Sequence, residues 1–234
     1  MIWYFLVVFM AELRKININV IYEDNHLLVV EKTVNMPVCE DESGDKDLLN
    51  VLKEYIKNKY DKPGNVYLGL VHRLDRPVGG VMVFAKTSKA AARLSSQVAN
   101  HELEKTYVAV VCGKVPESGK LFDYLVKDKK KNQSYVTDKE HGKEAKLSFK
   151  RLDYKEGLSL VEVHLETGRS HQIRVQFSSR GFPLVGDAKY NKNHDGKTSV
   201  ALFAKRLGFQ HPVSKERLCF EVEMPDRYPF SLFK

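Results

Sequence analysis

The stretch GLVHRLDRPVGGVMVFA, residues 69–85, holds His72, Arg73, Asp75 and Arg76 within five consecutive positions. An apolar run precedes them; Pro77, a glycine pair and a second apolar run follow. A surface hairpin has no need of an aspartate between two arginines. A strand-loop-strand unit that presents one carboxylate to a cleft would use that pattern. Such a carboxylate can act as a nucleophile or as a base. Spacing alone also allows Asp75 to be one half of a structural ion pair.

A second group of polar residues lies in ETGRSHQIRVQFSSRGFPLVGDAKY, residues 166–190. Thr167 and Gly168 end a strand, Ser170 stands where a helix cap is expected, and Gly181 with Pro183 stops the helix. Ile173, Val175 and Phe177 alternate as in a strand, while Ile173 and Phe177 also fit helical i, i+4 spacing; the end signals favour the helix. His171, Arg174 and Ser178 then share one face. The plain alternative is a surface helix with incidental charges. Against it, the polar residues crowd the first turn after a tight glycine and point beyond the strand ends.

The elements that would hold these groups follow from periodicity and punctuation. Residues 19–32 read as a strand, a turn at Glu23-Asp24-Asn25 and a second strand. Asp47 is placed to cap a helix with Leu48, Val51, Leu52, Tyr55 and Ile56 on its inner face, ended by Asp61-Lys62-Pro63-Gly64. Strands are expected at 66–71 and 81–85 around the first motif. Ser88 would cap a helix that buries Ala91, Leu94 and Val98. Residues 105–113 form a strand, 121–165 several antiparallel strands, and 200–207 and 218–222 two late ones. Within this region 127–143 is a polar hairpin with six lysines and three acids, a solvated loop or an RNA contact. The pattern is strand-rich with short helices between strands. That is an α+β domain with a mostly antiparallel sheet, not a parallel doubly wound one.

The chain of 234 residues has room for one large or two small domains. Its net charge of +8, from 38 basic and 30 acidic residues, favours a polyanionic partner. Cys39, Cys112 and Cys219 are far apart and make no C-x-x-C pair. They read as thiols of a reducing cytosol, not as a disulfide framework or a zinc site. The N-terminal MIWYFLVVFMAELRK has an apolar stretch of about ten residues, half of a membrane span. It lacks the basic region and cleavage site of a signal peptide. A cytoplasmic protein without membrane contact is expected. Met10 is an alternative start, so residues 1–19 read as an extension, with 1–9 over-called. An added edge strand or an apolar partner contact is the alternative.

HRLDRPVGGVMVFAKTSKAA, LEKTYVAVVCG, the 166–190 stretch and ALFAKRLGFQHP occur in that order. Together they resemble the RluA-type RNA pseudouridine synthases, from about Val20 to Pro225. The resemblance implies the pseudouridine synthase fold, a long, mostly antiparallel sheet with flanking helices and a central active-site cleft, with residues 20–234 as the catalytic domain. It implies conversion of uridine to pseudouridine in ribosomal or transfer RNA by a monomer, with no cofactor, metal or obligate protein partner. The family often has Thr-Ser-Gly after the HRLDR motif, where this chain has Val78-Gly79-Gly80. A histidine often stands where Gln176 does. Too little chain precedes Val20 for the N-terminal RNA-binding domain of many relatives, so target recognition is expected from the catalytic domain.

Carried over residue by residue, the resemblance makes Asp75 the catalytic carboxylate, with nucleophile and base both open. Arg174 matches the arginine paired with it, Arg169 being the other candidate. Arg73 matches the residue that enters the space of a flipped base, or binds phosphate. Tyr107 matches the tyrosine stacked on the uracil, and Leu202 the late apolar residue against the base. His72 orients the loop; Arg76, His171 and Gln172 are further candidate RNA contacts. Two other classes compete: an RNA-binding module without catalysis, and a metal-dependent hydrolase using His72, Asp75, His164 and His171. The first is disfavoured by the joint presence of Asp75, Tyr107 and Arg174, the second because the spacing matches no metal motif.

Overall fold

A computed structural model describes residues 19–234. The expected extension therefore lies outside the described residues, except for Asn19. The chain forms two compact units. One ends at Leu103 and also takes in Phe209–Phe220; the other is Glu104–Gly208 with Glu221–Lys234.

In the first unit β1 (Asn19–Glu23) and β2 (Leu27–Lys32) form an antiparallel hairpin. Asp24 shapes its turn: Oδ1 accepts the N–H of His26 and of Leu27, both at 2.7 Å, the local bonding that suits aspartate to turns. β2 pairs with β4 (Gly79–Ala85), Leu27 opposite Ala85 and Lys32 opposite Gly80. Every residue of β4 is buried, so its run is apolar without alternation. The strand expected at 66–71 shrinks to β3 (Gly69–Leu70). An extended segment becomes a strand only where a neighbour supplies hydrogen bonds, and the pairing with β4 reaches Gly69 and Leu70 alone.

Helix α1 (Leu48–Lys59) starts as its sequence predicts. Asp47 accepts the Asn50 N–H at 3.0 Å, and Leu48, Val51, Leu52, Tyr55 and Ile56 are buried. Helix α2 (Ser88–Ala99) departs by one residue. Thr87, not Ser88, is the cap, with Oγ1 accepting the Ala90 N–H at 3.2 Å. The buried stripe shifts with it to Ala90, Leu94 and Gln97, leaving Ala91 and Val98 half-buried. Gln97 is tolerated inside because its amide is satisfied on both sides: Nε2 donates to the Gln210 carbonyl at 2.8 Å and Oε1 accepts the Gln210 N–H at 2.9 Å.

The second unit is built on β5 (Glu104–Cys112), β6 (Ser118–Asp128), β7 (Gln133–Thr137), β8 (Lys143–Lys155), β9 (Leu158–Leu165) and β10 (Leu202–Gln210, which belongs here as far as Gly208). Their order is β10-β5-β9-β8-β6-β7, and each neighbouring pair is antiparallel. Helix α3 (Gln172–Ser178) lies on one face. Its Phe177 meets Phe149 edge-on with ring centroids 5.2 Å apart, and Val175 packs with Leu125 and Ala145. A second cluster gathers Val108, Val110, Leu160, Phe203 and Phe230. Short helices stand between runs of antiparallel strands, the α+β class the sequence implies. Among the described residues no helix is long and apolar enough to cross a membrane.

Candidate active site and family

In the first unit, the residues between β3 and β4 carry His72, Arg73, Asp75 and Arg76. The Asp75 carbonyl accepts the Val78 N–H at 2.9 Å, which closes a turn. Beneath it lies Lys32, the last residue of β2 and only 1% exposed. Its ammonium donates to the carbonyls of Val78 at 2.7 Å, Arg76 at 3.0 Å and Thr33 at 3.0 Å. Burial pushes this ammonium down to about 7; the Asp75 charge acts to raise it and the Arg76 charge to lower it. A buried cation thus both ties down the loop and acts electrostatically on its aspartate.

His72 Nε2 accepts the Val83 N–H at 3.1 Å, which places the remaining ring proton on Nδ1 and fixes the start of the loop to β4. Arg76 turns towards 35–45: Nε donates to the Asn35 carbonyl at 3.2 Å, Nη1 to Ser43 Oγ at 2.8 Å and Asp41 at 3.3 Å, and Nη2 pairs with Asp45. Arg73 is exposed and makes no hydrogen bond or ion pair among the described residues.

The second unit holds Tyr107, Arg169, His171, Gln172, Arg174 and Leu202. Tyr107 on β5 lies opposite Ala204 on β10, and Ala109 lies opposite Leu202. Residues two apart on a strand leave the same face, so Tyr107 and Leu202 share one. Tyr107 is also opposite Val163, which is opposite Phe149, the residue that α3 packs on. Tyr107, Leu202 and α3 therefore occupy the same side of this sheet.

The start of α3 differs from the sequence expectation. Its cap is His171, in the left-handed region at φ 54° and without a side-chain cap bond; Ser170 does not cap it. Gln172 takes over part of that role. Its Oε1 accepts the Arg169 N–H at 2.9 Å and the Thr167 hydroxyl at 2.8 Å, while Nε2 donates to the Lys146 carbonyl at 3.0 Å. The side chain is 3% exposed and braces the turn before the helix.

The shared face of His171, Arg174 and Ser178 converges on Tyr190. His171 Nδ1 is 2.8 Å from the Tyr190 hydroxyl, the Arg174 guanidinium carbon is 5.1 Å from the Tyr190 ring centre, and Ser178 Oγ donates to the Tyr190 carbonyl at 2.6 Å. Arg174 also forks onto Asp187: Nε and Nη2 donate to Oδ2 and Oδ1, each at 2.8 Å. Arg174 is 3% exposed and Asp187 is 0% exposed. Asp187 Oδ1 further accepts the N–H of Lys189 and of Tyr190. Gly186, just before this aspartate, has φ +71° and lies tight against the 198–199 backbone, for a Cβ there would lie 2.6 Å from the Ser199 carbonyl oxygen. Gln176, which stands where relatives often have histidine, is fully buried. Its Nε2 donates to Asp123 at 2.7 Å, and its Oε1 has no partner among the described residues.

Lys32, Asp187 and Tyr190 are the residues that sequence reasoning did not single out. Asp187 and Tyr190 lay within the GDAKY run, but nothing in their spacing showed which helix they would face. Among the described residues no cluster of three or more His, Cys, Asp or Glu could hold a metal ion. His164 is engaged by Thr106 Oγ1 at 3.2 Å and Glu162 at 3.2 Å.

Comparison with known proteins gives the family. Residues 26–179 match the RNA pseudouridylate synthase family. The chain is 34% identical over 227 residues to the ribosomal large subunit pseudouridine synthase D of Zymomonas mobilis, covering 92% of this chain and 71% of that one. It is 34% identical over 214 residues to the Bacillus subtilis RNA pseudouridine synthase YlyB, covering 90% and 70%. The solved structure of human RNA pseudouridylate synthase domain containing 4 superposes with a TM-score of 0.78 at 22% identity, covering 100% of this chain and 97% of that one, and so shares the fold. This chain belongs to the RNA pseudouridylate synthase family, isomerases that turn uridine in RNA into pseudouridine.

Proposed function

We propose that this chain isomerises a uridine of large-subunit ribosomal RNA and that the reaction depends on the Asp75 carboxylate. The observation that carries the reading is the buried Lys32 ammonium, which bonds the Arg76 and Val78 carbonyls and bears electrostatically on Asp75. A loop around one aspartate is held by an expensive buried charge, which suits a carboxylate that must stay ionised in a fixed place. The choice of ribosomal RNA draws on the name of the Zymomonas relative.

In this reading the target uridine leaves its stack, at a cost of about a few kcal/mol. Arg73, exposed and unbonded among the described residues, takes the vacated place. Tyr107 stacks on the uracil, with Leu202 on the same sheet face against its other parts. Asp75 attacks the sugar or accepts a proton there. Arg174 is held in its place by Asp187, to which Nε and Nη2 are committed. The N-glycosidic bond breaks, the uracil turns while bound, and a carbon–carbon bond forms. Substrate and product have the same composition, so the reaction consumes no cofactor.

The test is to map pseudouridines in total RNA from cells with and without the gene, and to incubate the purified protein with RNA from the deletion strain in chelator. One or a few ribosomal positions should lose pseudouridine in the deletion and regain it in vitro. Loss confined to transfer RNA would overturn the choice of substrate, and no change in any RNA would overturn the activity.

A further inference from the structure

Lys105 precedes Tyr107 by two residues on β5, so it leaves the same face of the sheet. Its ammonium lies close to the turn that starts α3: a Cβ at Gly168 would come within 3.2 Å of Lys105 Nζ. The bare glycine leaves the ammonium space beside this backbone. Arg169 follows directly, with Nε held by the Glu144 carbonyl at 2.7 Å. Burial, and then the Arg169 charge, hold the Lys105 ammonium below the ordinary lysine range. The Glu144 carboxylate is engaged elsewhere, by Lys146 at 2.6 Å. Among the described residues no carboxylate pairs with Lys105 or Arg169. Two cations that repel each other are thus kept together on the Tyr107 side of the sheet.

Beyond Arg169 a cavity of roughly 220 Å³ opens towards the β6–β7 hairpin, walled by Arg169, Ser170, Ser134, Lys127 and Lys143. That is the volume of about seven liquid waters, room for a phosphate and part of a sugar. Beside Arg169 its walls carry two hydroxyls and two ammonium groups, and Lys127 and Lys143 are exposed at its rim. The cations form a continuous line from Lys105, through Arg169, to the cavity.

We propose that Lys105 and Arg169 clamp the RNA backbone phosphate that flanks the target uridine, and that the strand runs on from there across the cavity lined by Lys127 and Lys143. The proposal rests on the reading that Tyr107 stacks on the target uracil, because that fixes which phosphate lies within reach of Lys105. An RNA phosphate would neutralise the two cations and relieve their repulsion, which makes the clamp an attraction released only on binding. It also gives the strand a fixed point next to the reacting nucleotide.

The test uses Lys105→Gln, Arg169→Gln and the charge-retaining Lys105→Arg. Binding of a fluorescein-labelled single-stranded RNA 12-mer with one central uridine is followed by anisotropy at several salt concentrations. Each Gln variant should weaken binding about tenfold at low salt and reduce the salt slope by about 0.7, the share of one phosphate on a single strand. Lys105→Arg should keep the wild-type slope, which separates loss of charge from loss of fold. With total RNA from the deletion strain as substrate, the Gln variants should lose about tenfold in rate at limiting RNA and less than threefold at saturation. Unchanged salt slopes in both Gln variants would overturn the clamp, as would a rate loss that persists at saturation with affinity intact. If wild type makes no pseudouridine while the slopes still fall, the activity reading fails and the phosphate site stands.

Discussion

The guanidinium of Arg174 and the carboxylate of Asp187 meet in two parallel hydrogen bonds of 2.8 Å, with almost no solvent at either group. Breaking one side of such a pair leaves a buried charge alone and costs about 3 to 5 kcal/mol. Asp187→Asn should lower the melting temperature by roughly 10 °C, on the scale of a protein of this size. It should also lower pseudouridine formation, because Arg174 would lose its anchor. Arg174→Lys should behave similarly, since an ammonium cannot fork. A melting temperature within 2 °C of wild type in both variants would show that the pair is dispensable.

Asp75→Asn keeps the side-chain size and removes the charge. Its product in chelator should be undetectable by mass spectrometry, while wild type converts the same RNA. RNA affinity should hold or rise slightly, because a charge that repels phosphate is gone. Normal product from this variant would make the carboxylate structural.

Lys32→Met removes the donor for three carbonyls, two of them in the Asp75 loop. The rate should fall at least about tenfold with RNA affinity nearly unchanged, because the loss is one of positioning. The stability difference should also depend on pH. Lys32 sits at about 7 in the folded protein, below the 10.5 of a free lysine. Between those values the unfolded chain binds the extra proton, so wild-type stability rises with pH. Wild type should therefore gain melting temperature over Lys32→Met from pH 7 to pH 9. A difference independent of pH would mean that the buried amine keeps its proton throughout.

Tyr107→Phe and Tyr107→Ala separate stacking from proton transfer. If the ring only stacks, Phe should retain the single-turnover rate and Ala should lose about 1 to 3 kcal/mol of base binding. A slow Phe variant with normal RNA binding would assign the phenol a part in proton transfer. Wild-type rates for both would remove Tyr107 from the site.

Glu23 governs acid behaviour in the first unit. Burial alone would raise its carboxyl, but hydrogen bonds from Lys59, Lys86, Tyr60 and Tyr55 outweigh that and hold it at about 2, from 4.5. Its contribution to stability is complete above pH 4.5 and lost as the pH falls towards 2. Glu23→Gln should thus be less stable than wild type at pH 7, with the gap narrowing below pH 4.5. An equal gap in melting temperature at pH 3 and pH 7 would refute this.

What the sequence made legible is what short-range chemistry decides. Asp47 three residues before Asn50, with apolar residues at helical spacing, specifies α1 and its cap without help from elsewhere. The α3 entry was harder. Ser170 has the right chemistry for a cap, yet the backbone turns at His171 and the buried Gln172 amide braces it, through a Lys146 carbonyl that lies far away in sequence. Lys32 was invisible for the same reason: two of its three acceptors are 44 and 46 residues away. Polar groups satisfied by tertiary contacts leave no local period. The HRLDR and HQIRV runs marked where chemistry is expected, but not that Tyr190 would be the common partner of His171, Arg174 and Ser178.

Gly186 has no side chain to offer and no part in any bond-making step, yet its left-handed backbone and the nearby Ser199 carbonyl leave no place for another residue. Any substitution must shift either the 198–199 backbone or the chain that leads into Asp187, the partner of Arg174 thirteen positions earlier. A copy of this gene that keeps Asp75, Tyr107 and Arg174 but has lost this glycine should therefore be counted as inactivated. In surveys of decaying genes, its loss is as informative a mark as loss of the aspartate itself.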